Sequence, residues 1–218
     1  MPLAGDIKTL HTTLLMRKGL WLLFVAGLLL DTNAPALART LPVAFEDMSL
    51  GKPNAPVTLV VYVSVTSTHS AAFYGDIFPT IQKRYIRSGK VHYVLRELPT
   101  SPLDVSTAGF LIARCAGEKR YFPVVEKIIR AQPDIFAGKG KSTLENIARS
   151  EGLFHEAFTA CITDQAAVDR INTNTAKWVA LDNIEDVPTL IINGQKYTGD
   201  STDLEQVTTA LDQALLRK

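Results

Sequence analysis

An α/β fold, in which a sheet is interrupted by a block of helices and then resumed, is predicted by three observations. Val57 to Val63 is almost wholly apolar and β-branched, the composition of a strand buried on both faces. From Asp104 to Asn183 the patterning is helical throughout. At Thr189 a β-pattern returns, and an amphipathic helix with Val207, Leu211 and Leu215 on one face closes the chain.

Taken in order, Leu41 to Leu50 holds a short edge strand and Gly51 to Pro56 is a turn-rich connection. After the central strand, Ser67, Thr68 or Ser70 caps a helix whose stripe is Ala71, Ala72, Phe73, Ile77, Phe78 and Ile81. Pro79 kinks that helix and Gly89 closes it. Val91 to Glu97 is the next strand, giving a βαβ unit. In the helical block, Asp104 caps a helix through Cys115, ended by Gly117. Tyr121 to Gln132 is a second helix, and Ser142-Thr143-Leu144-Glu145 is a capping box opening a third. Phe154 to Ile162 and Gln165 to Leu181 complete the block. Asn193-Gly194 signals a two-residue hairpin between Thr189 to Ile192 and Gln195 to Tyr197. Thr202-Asp203-Leu204-Glu205 is a second capping box.

With 46% hydrophobic and 21% charged residues in 218, the composition is that of a globular chain with ample core. The N-terminus stands apart. Arg17 and Lys18 precede the apolar run Gly19 to Leu30, and Ala36-Leu37-Ala38 offers a small-x-small cleavage site. As a helix that run spans about 18 Å against roughly 30 Å of hydrocarbon, so a signal peptide over residues 1–38 is favoured over an N-terminal membrane anchor. Its removal leaves 20 basic and 20 acidic side chains from 23 and 22. No basic stripe calls for nucleic acid. The expected layout is residues 39–101 for the first part of the sheet domain, 102–183 for the helical insertion and 184–218 for the second part.

The run A-P-V-T-L-V-V-Y-V-S-V-T-S-T-H-S-A-A-F from Ala55 resembles the active-site segment of bacterial DsbA-like thiol:disulfide interchange proteins. Similar elements follow in order: F-P-T-I-Q-K-R-Y from Phe78, A-R-C-A-G-E-K-R-Y-F from Ala113, Cys161, and V-P-T-L-I-I-N-G-Q-K-Y-T-G from Val187. The resemblance implies a thioredoxin-like fold with a helical insertion, periplasmic localisation, and polypeptide clients. Those proteins carry Cys-Pro-His-Cys where this chain has Ser67-Thr68-His69-Ser70. Exchange needs a thiolate attacking a sulfur, and a hydroxyl does not replace it. The family's reaction is therefore not expected here.

Cys115 and Cys161 are the only cysteines. In an exported chain they read as a disulfide, with two buried free thiols as the alternative, and the resemblance implies a structural bridge in the insertion. Val187-Pro188 on its own is a proline before a strand. The resemblance makes Pro188 a cis-proline facing the helix start, with Val187 offering backbone groups to an extended peptide by strand addition. His69 has no companions at metal-ligand spacing, and nothing marks an orienting acid for a Ser-His nucleophile. Ser67 and Ser70 read as capping residues. The expected function is a redox-inactive exported protein of this family that binds extended or unfolded exported polypeptides near Val187 and Pro188, with no cofactor, metal or nucleic acid. Two alternatives are kept. One is thiol:disulfide oxidoreductase activity by family similarity. The other is glutathione-dependent transfer in which the Ser67 hydroxyl bonds a bound thiolate, as in the similarly folded kappa-class transferases.

Overall fold

A computed structural model describes residues 47–217. The expected signal peptide, and the part of the expected edge strand before Asp47, lie outside the described residues. Of that strand the structure shows β1, Met48–Leu50.

Five strands form one sheet in the order β1-β3-β2-β4-β5. At its centre, β2 (Val57–Val63) pairs in parallel with β3 (Val91–Glu97), Val57 opposite Val91 through Val63 opposite Glu97. On its other side β2 pairs antiparallel with β4 (Thr189–Ile192), which turns back through Asn193-Gly194 into β5 (Gln195–Lys196). Both turn residues have positive φ, 48° and 81°, the mirror-image geometry that Asn-Gly adopts readily. The Asn193 side-chain oxygen also accepts from the Thr58 amide at 2.9 Å, tying the turn to the central strand.

The reason β2 reads as a continuous apolar run is that helices cover both faces. Val57, Leu59, Val61 and Val63 pack with Phe73, Ile77 and Ile81 and with Val207 and Leu211 of α9 (Leu204–Leu216). Val60 and Tyr62 face the opposite layer, with Trp178 of α8 (Gln165–Asp182) and with Ile184, Val187 and Ile191. Between β2 and β3 the crossover is a helical rod: α1 (Thr68–Ala72), a π-turn over Phe73–Ile77, α2 (Phe78–Ile81), and a second π-turn over Gln82–Ile86. Pro79 lacks the amide that would bond one turn back, and the π-turn just ahead of it absorbs the mismatch. Gly89, at φ +74°, ends the rod.

The insertion comprises α3 (Leu103–Cys115), α4 (Glu118–Arg130), α5 (Gln132–Asp134), a π-turn over Ile135–Lys139, α6 (Gly140–Ser150) and α7 (His155–Ile162), leading into α8. Phe110, Val124, Ile128, Leu144 and Phe158 continue the first core layer. Cys115 at the end of α3 is bonded to Cys161 of α7 across 46 positions. In the chain-entropy model such a loop stabilises the fold by about 4 kcal/mol.

Several helix starts differ from the sequence-based expectation. α3 begins at Leu103 with Pro102 as N-cap and no side-chain cap, so Asp104 lies inside the first turn. α4 starts at Glu118, directly after Gly117 at φ +88°, and tolerates Pro123 within it. The Ser142 box is not made: α6 already runs from Gly140, and the Ser142 hydroxyl donates to the Lys139 carbonyl at 3.0 Å. At α9 the cap is one residue later than expected. Asp203 accepts from the Gln206 amide at 3.0 Å while the Gln206 side chain donates back at 2.8 Å, and Thr202 instead bonds Asp200.

Two polar side chains of β3 are buried in the second layer. Arg96, 2% exposed, lies 3.6 Å from the centre of the Trp178 ring and bridges Asp47 and Asp182, each at 3.2 Å. His92 is 3% exposed and its Nε2 has no hydrogen-bond partner, so burial pushes its pKa below the ordinary 6.5. The sign follows. Above the unfolded value both states hold a neutral ring and His92 contributes no pH dependence. As pH falls below about 6.5, the unfolded chain takes up the proton first and stability drops until the folded pKa is passed. Urea midpoints at pH 7.5 and pH 5 should therefore separate further for the wild type than for His92→Leu. Equal separations would show that His92 is not the titrating group.

Candidate functional site

The end of β2 feeds the start of the rod through a four-residue turn, Ser64 to Ser67. The turn is held from below by hydroxyls. Ser64 Oγ, fully buried, accepts from Thr100 Oγ1 at 2.8 Å and from the Thr66 and Thr100 amides, both at 3.2 Å, and contacts the hydroxyls of Thr66 and Ser106 at 3.1 Å. From the side, Gln132 of α5 donates its amide nitrogen to the Val65 carbonyl at 2.9 Å and to the Ser67 carbonyl at 3.0 Å. Gly109 of α3 permits a third approach, since a Cβ there would sit 3.0 Å from Val65 Cγ2. These contacts fix the turn against the insertion. Buried polar groups so fully paired rigidify what they hold.

On this support Ser67 is the N-cap of α1, in extended geometry at φ −92° and ψ 126°. Its Oγ accepts from the Ser70 amide at 3.2 Å and donates to the Val187 carbonyl at 3.4 Å. Ser70 is fully buried and its Oγ accepts from the Ser64 amide at 3.3 Å. Thr68 and His69 are exposed. Across from them, the Asp200 carboxyl is held below its ordinary range chiefly by the Thr202 hydroxyl and amide, with the His69 ring contributing in the same sense.

The structure thus brings Ser67, Thr68, His69 and Ser70 together with Val187 and Pro188, and keeps Cys115 and Cys161 out of that site, between α3 and α7. The Val187-Pro188 peptide bond is cis, as is Ser101-Pro102. Val187 is more enclosed than a docking edge requires. The residue is 3% exposed, its side chain packs with Trp178, and its amide donates to the Asp186 carboxylate at 2.7 Å. Only its carbonyl, shared with Ser67, faces the helix start. Among the described residues no group of three or more His, Cys, Asp or Glu side chains is placed to hold a metal.

Sequence reasoning missed Ser64, Thr100, Ser106 and Gln132. Ser106 carried a signal: it lies on the α3 face of Gly109, Phe110 and Ala113, where a polar residue in an apolar stripe needs a buried partner.

Comparison with known proteins agrees with this architecture. Among solved structures, Wolbachia pipientis alpha-DsbA1 superposes with a TM-score of 0.75 at 23% identity, covering 83% of this chain and 96% of that one. A protein-disulfide isomerase from Novosphingobium aromaticivorans gives 0.65 at 17% identity, covering 78% and 100%. At these identities the likeness is one of fold. Among curated proteins, one from Rickettsia conorii named as a protein-disulfide oxidoreductase is 30% identical over 182 residues, 83% of this chain and 64% of the relative. One of the same kind from Rickettsia felis is 30% identical over 178 residues, 81% and 63%. The chain spans less than two thirds of the length of these curated relatives. The family model described as Thioredoxin matches residues 44–213, and with a sheet, crossover rod and helical insertion that superpose on DsbA structures, the chain belongs to the thioredoxin family and carries a DsbA-like fold.

Proposed function

We propose that this protein is a redox-inactive, exported member of its family that binds extended or unfolded polypeptides at the Ser67-Thr68-His69 surface beside Val187 and Pro188. The observation that carries the reading is the chemistry of the helix start. Where disulfide exchange needs two sulfurs, there are two hydroxyls, one spent on capping α1 and the other buried beneath it. The two cysteines present are bonded to each other in the insertion. A surface that has lost the reacting groups but keeps an exposed, rigidly supported helix start next to a backbone carbonyl is suited to docking a chain, not to changing its covalent state. The apolar run Gly19 to Leu30, with its basic flank and cleavage-like Ala36-Leu37-Ala38, supports periplasmic export. No helix among the described residues is long and apolar enough to cross a membrane.

The test is binding of unfolded lysozyme whose thiols have been alkylated, which removes any exchange chemistry from the readout. Wild-type protein should bind it, measured by fluorescence anisotropy. Thr68→Arg, an exposed position where a new charge must be desolvated on docking, should weaken binding by about tenfold. Val187→Arg is a poorer probe, because it forces a charge into the Trp178 layer and unfolds what it should test. Absence of binding by the folded wild type would sink the reading.

A further inference from the structure

Two sides of the closing helix α9 are occupied within the fold. Val207 and Leu211 are fully buried in the first core layer. Asp212 is paired with Arg84 at 2.9 Å and accepts from the Tyr85 hydroxyl at 2.9 Å. The third side meets the β5 hairpin along two hollows of about 360 and 520 Å³, which share Tyr197, Ala210 and Gln213. Beside them β5 is the last strand of the sheet, and both of its residues are exposed. On the last turn of α9, Leu216 is 84% exposed.

Charge is sorted along this side. Asp203 and Glu205 border the hollow at the start of α9, and Lys196 and Arg217 border the one at its end. Among the described residues none of these four takes part in an ion pair. The Gln206 amide and side chain bond the Asp203 carboxyl and hold it below its ordinary range, so it is ionised. Lys196 donates to the Asn183 carbonyl at 2.8 Å, a neutral partner that leaves its charge unbalanced. Between the acidic and basic ends the bordering residues of the helix, Thr209, Ala210 and Gln213, are uncharged. From Glu205 to Arg217 the helix rises about 18 Å.

A partner for this side must carry the opposite order of charge over the same length. The same side turned end for end does so. We infer that α9 and the β5 edge form the interface of a homodimer in which the two copies of α9 lie antiparallel, the acidic start of each against Arg217 of the other. The two-fold axis then passes beside Ala210, equally far along the chain from Asp203 and Arg217, where the small side chain lets two helices approach. Such a contact is isologous, so every charge pair is made twice. Antiparallel helices also set opposite ends of their dipoles together, and Leu216 comes to lie beside the partner's first turn. The interface uses neither Ser67 and Thr68 nor Val187 and Pro188, so it stands or falls apart from client binding.

The test is sedimentation velocity of the full chain in low-salt buffer, where exposed charges are least screened. The wild-type sedimentation coefficient should rise with concentration toward that of a dimer. Glu205→Arg and Arg217→Glu, both at exposed positions, each turn two attractions into two repulsions, and each variant alone should dimerise about tenfold more weakly. In an equimolar mixture the two variants complement each other at both contacts, so association should return to about the wild-type strength. A loss of helix stability does not produce that recovery, because each chain carries the same substitution in the mixture as alone. A wild type that stays monomeric at every concentration overturns the inference. Association that either substitution leaves intact also overturns it, since another face then makes the contact. So does a mixture that associates no more tightly than its two components.

Discussion

Replacing Arg96 by alanine should destabilise the protein by about 3–5 kcal/mol, the loss expected when one member of a buried charge cluster is removed. The guanidinium is 2% exposed and is bonded to Asp47, to Asp182 and to the Tyr62 hydroxyl at 3.1 Å, with the Trp178 ring stacked on it. Without it, two carboxylates, each more than nine-tenths buried, lose the cation they share. Burial, reinforced by the bond to Asp182, already pushes the Tyr62 phenol well above its usual range, so the hydroxyl stays neutral and supplies no charge of its own. Arg96→Lys should recover only part of the loss, because an ammonium cannot reach both carboxylates through a planar fork or stack on the indole. Urea midpoints for the three proteins measure this. An alanine variant within 1 kcal/mol of wild type would show that the cluster is solvated in solution.

The consequence reaches the site. Asp182 ends α8, and five residues later Val187 presents its carbonyl to Ser67. The second core layer, Trp178, Ile184 and Val187 on Val60 and Tyr62, is held in register by the arginine, so a loosened α8 should also weaken client binding.

How much of this was legible depends on the range of the interaction. β2 was readable to the residue because a doubly covered strand reads as an apolar, β-branched run, β3 because Val91, Tyr93 and Leu95 alternate along it, and the Asn193-Gly194 turn because its φ values favour those two residues. Helix starts in the insertion were not. α3, α4 and α6 begin where a proline, a positive-φ glycine or a packing contact sets them, with no side-chain cap at any of the three. At the site, the Ser67 cap is a local feature and was readable. Its support was not, since Gln132 lies 65 residues from the Ser67 carbonyl it holds, and Ser106 lies 42 from Ser64. The burial of Arg96 was not legible because nothing local identifies Asp47 and Asp182 as its partners. The enclosure of Val187 was hidden for the same reason: only the tertiary layer shows that its side chain is core while its carbonyl accepts from Ser67.

The double variant Ser67→Cys, Ser70→Cys should gain what the wild type lacks. In an insulin-reduction assay the wild type should not exceed the uncatalysed dithiothreitol rate, and the variant should. A hydroxyl at the Ser67 position gains at most roughly 2 kcal/mol from the helix end, about 1.5 pKa units, far short of what ionising serine near neutral pH requires. A thiol starts near 8.5 and is brought by a helix N-terminus into the range of roughly 3.5 to 7.5. The groups that would receive the thiolate are in place: the Ser70 amide, now bonded to Ser67 Oγ, and a turn held rigid by Gln132 and the Ser64 hydroxyl cluster. The two positions would differ in role. Ser67 is partly exposed and Ser70 fully buried, so a client would meet the first sulfur, and the second would resolve the mixed disulfide from within. Ser67→Cys alone should therefore trap a client disulfide without turnover. A folded double variant with no activity would mean that the turn has lost the geometry of exchange along with its sulfurs. Activity in the wild type would place redox chemistry on Cys115 and Cys161, the only sulfurs able to carry it, and would overturn the binding-only reading outright.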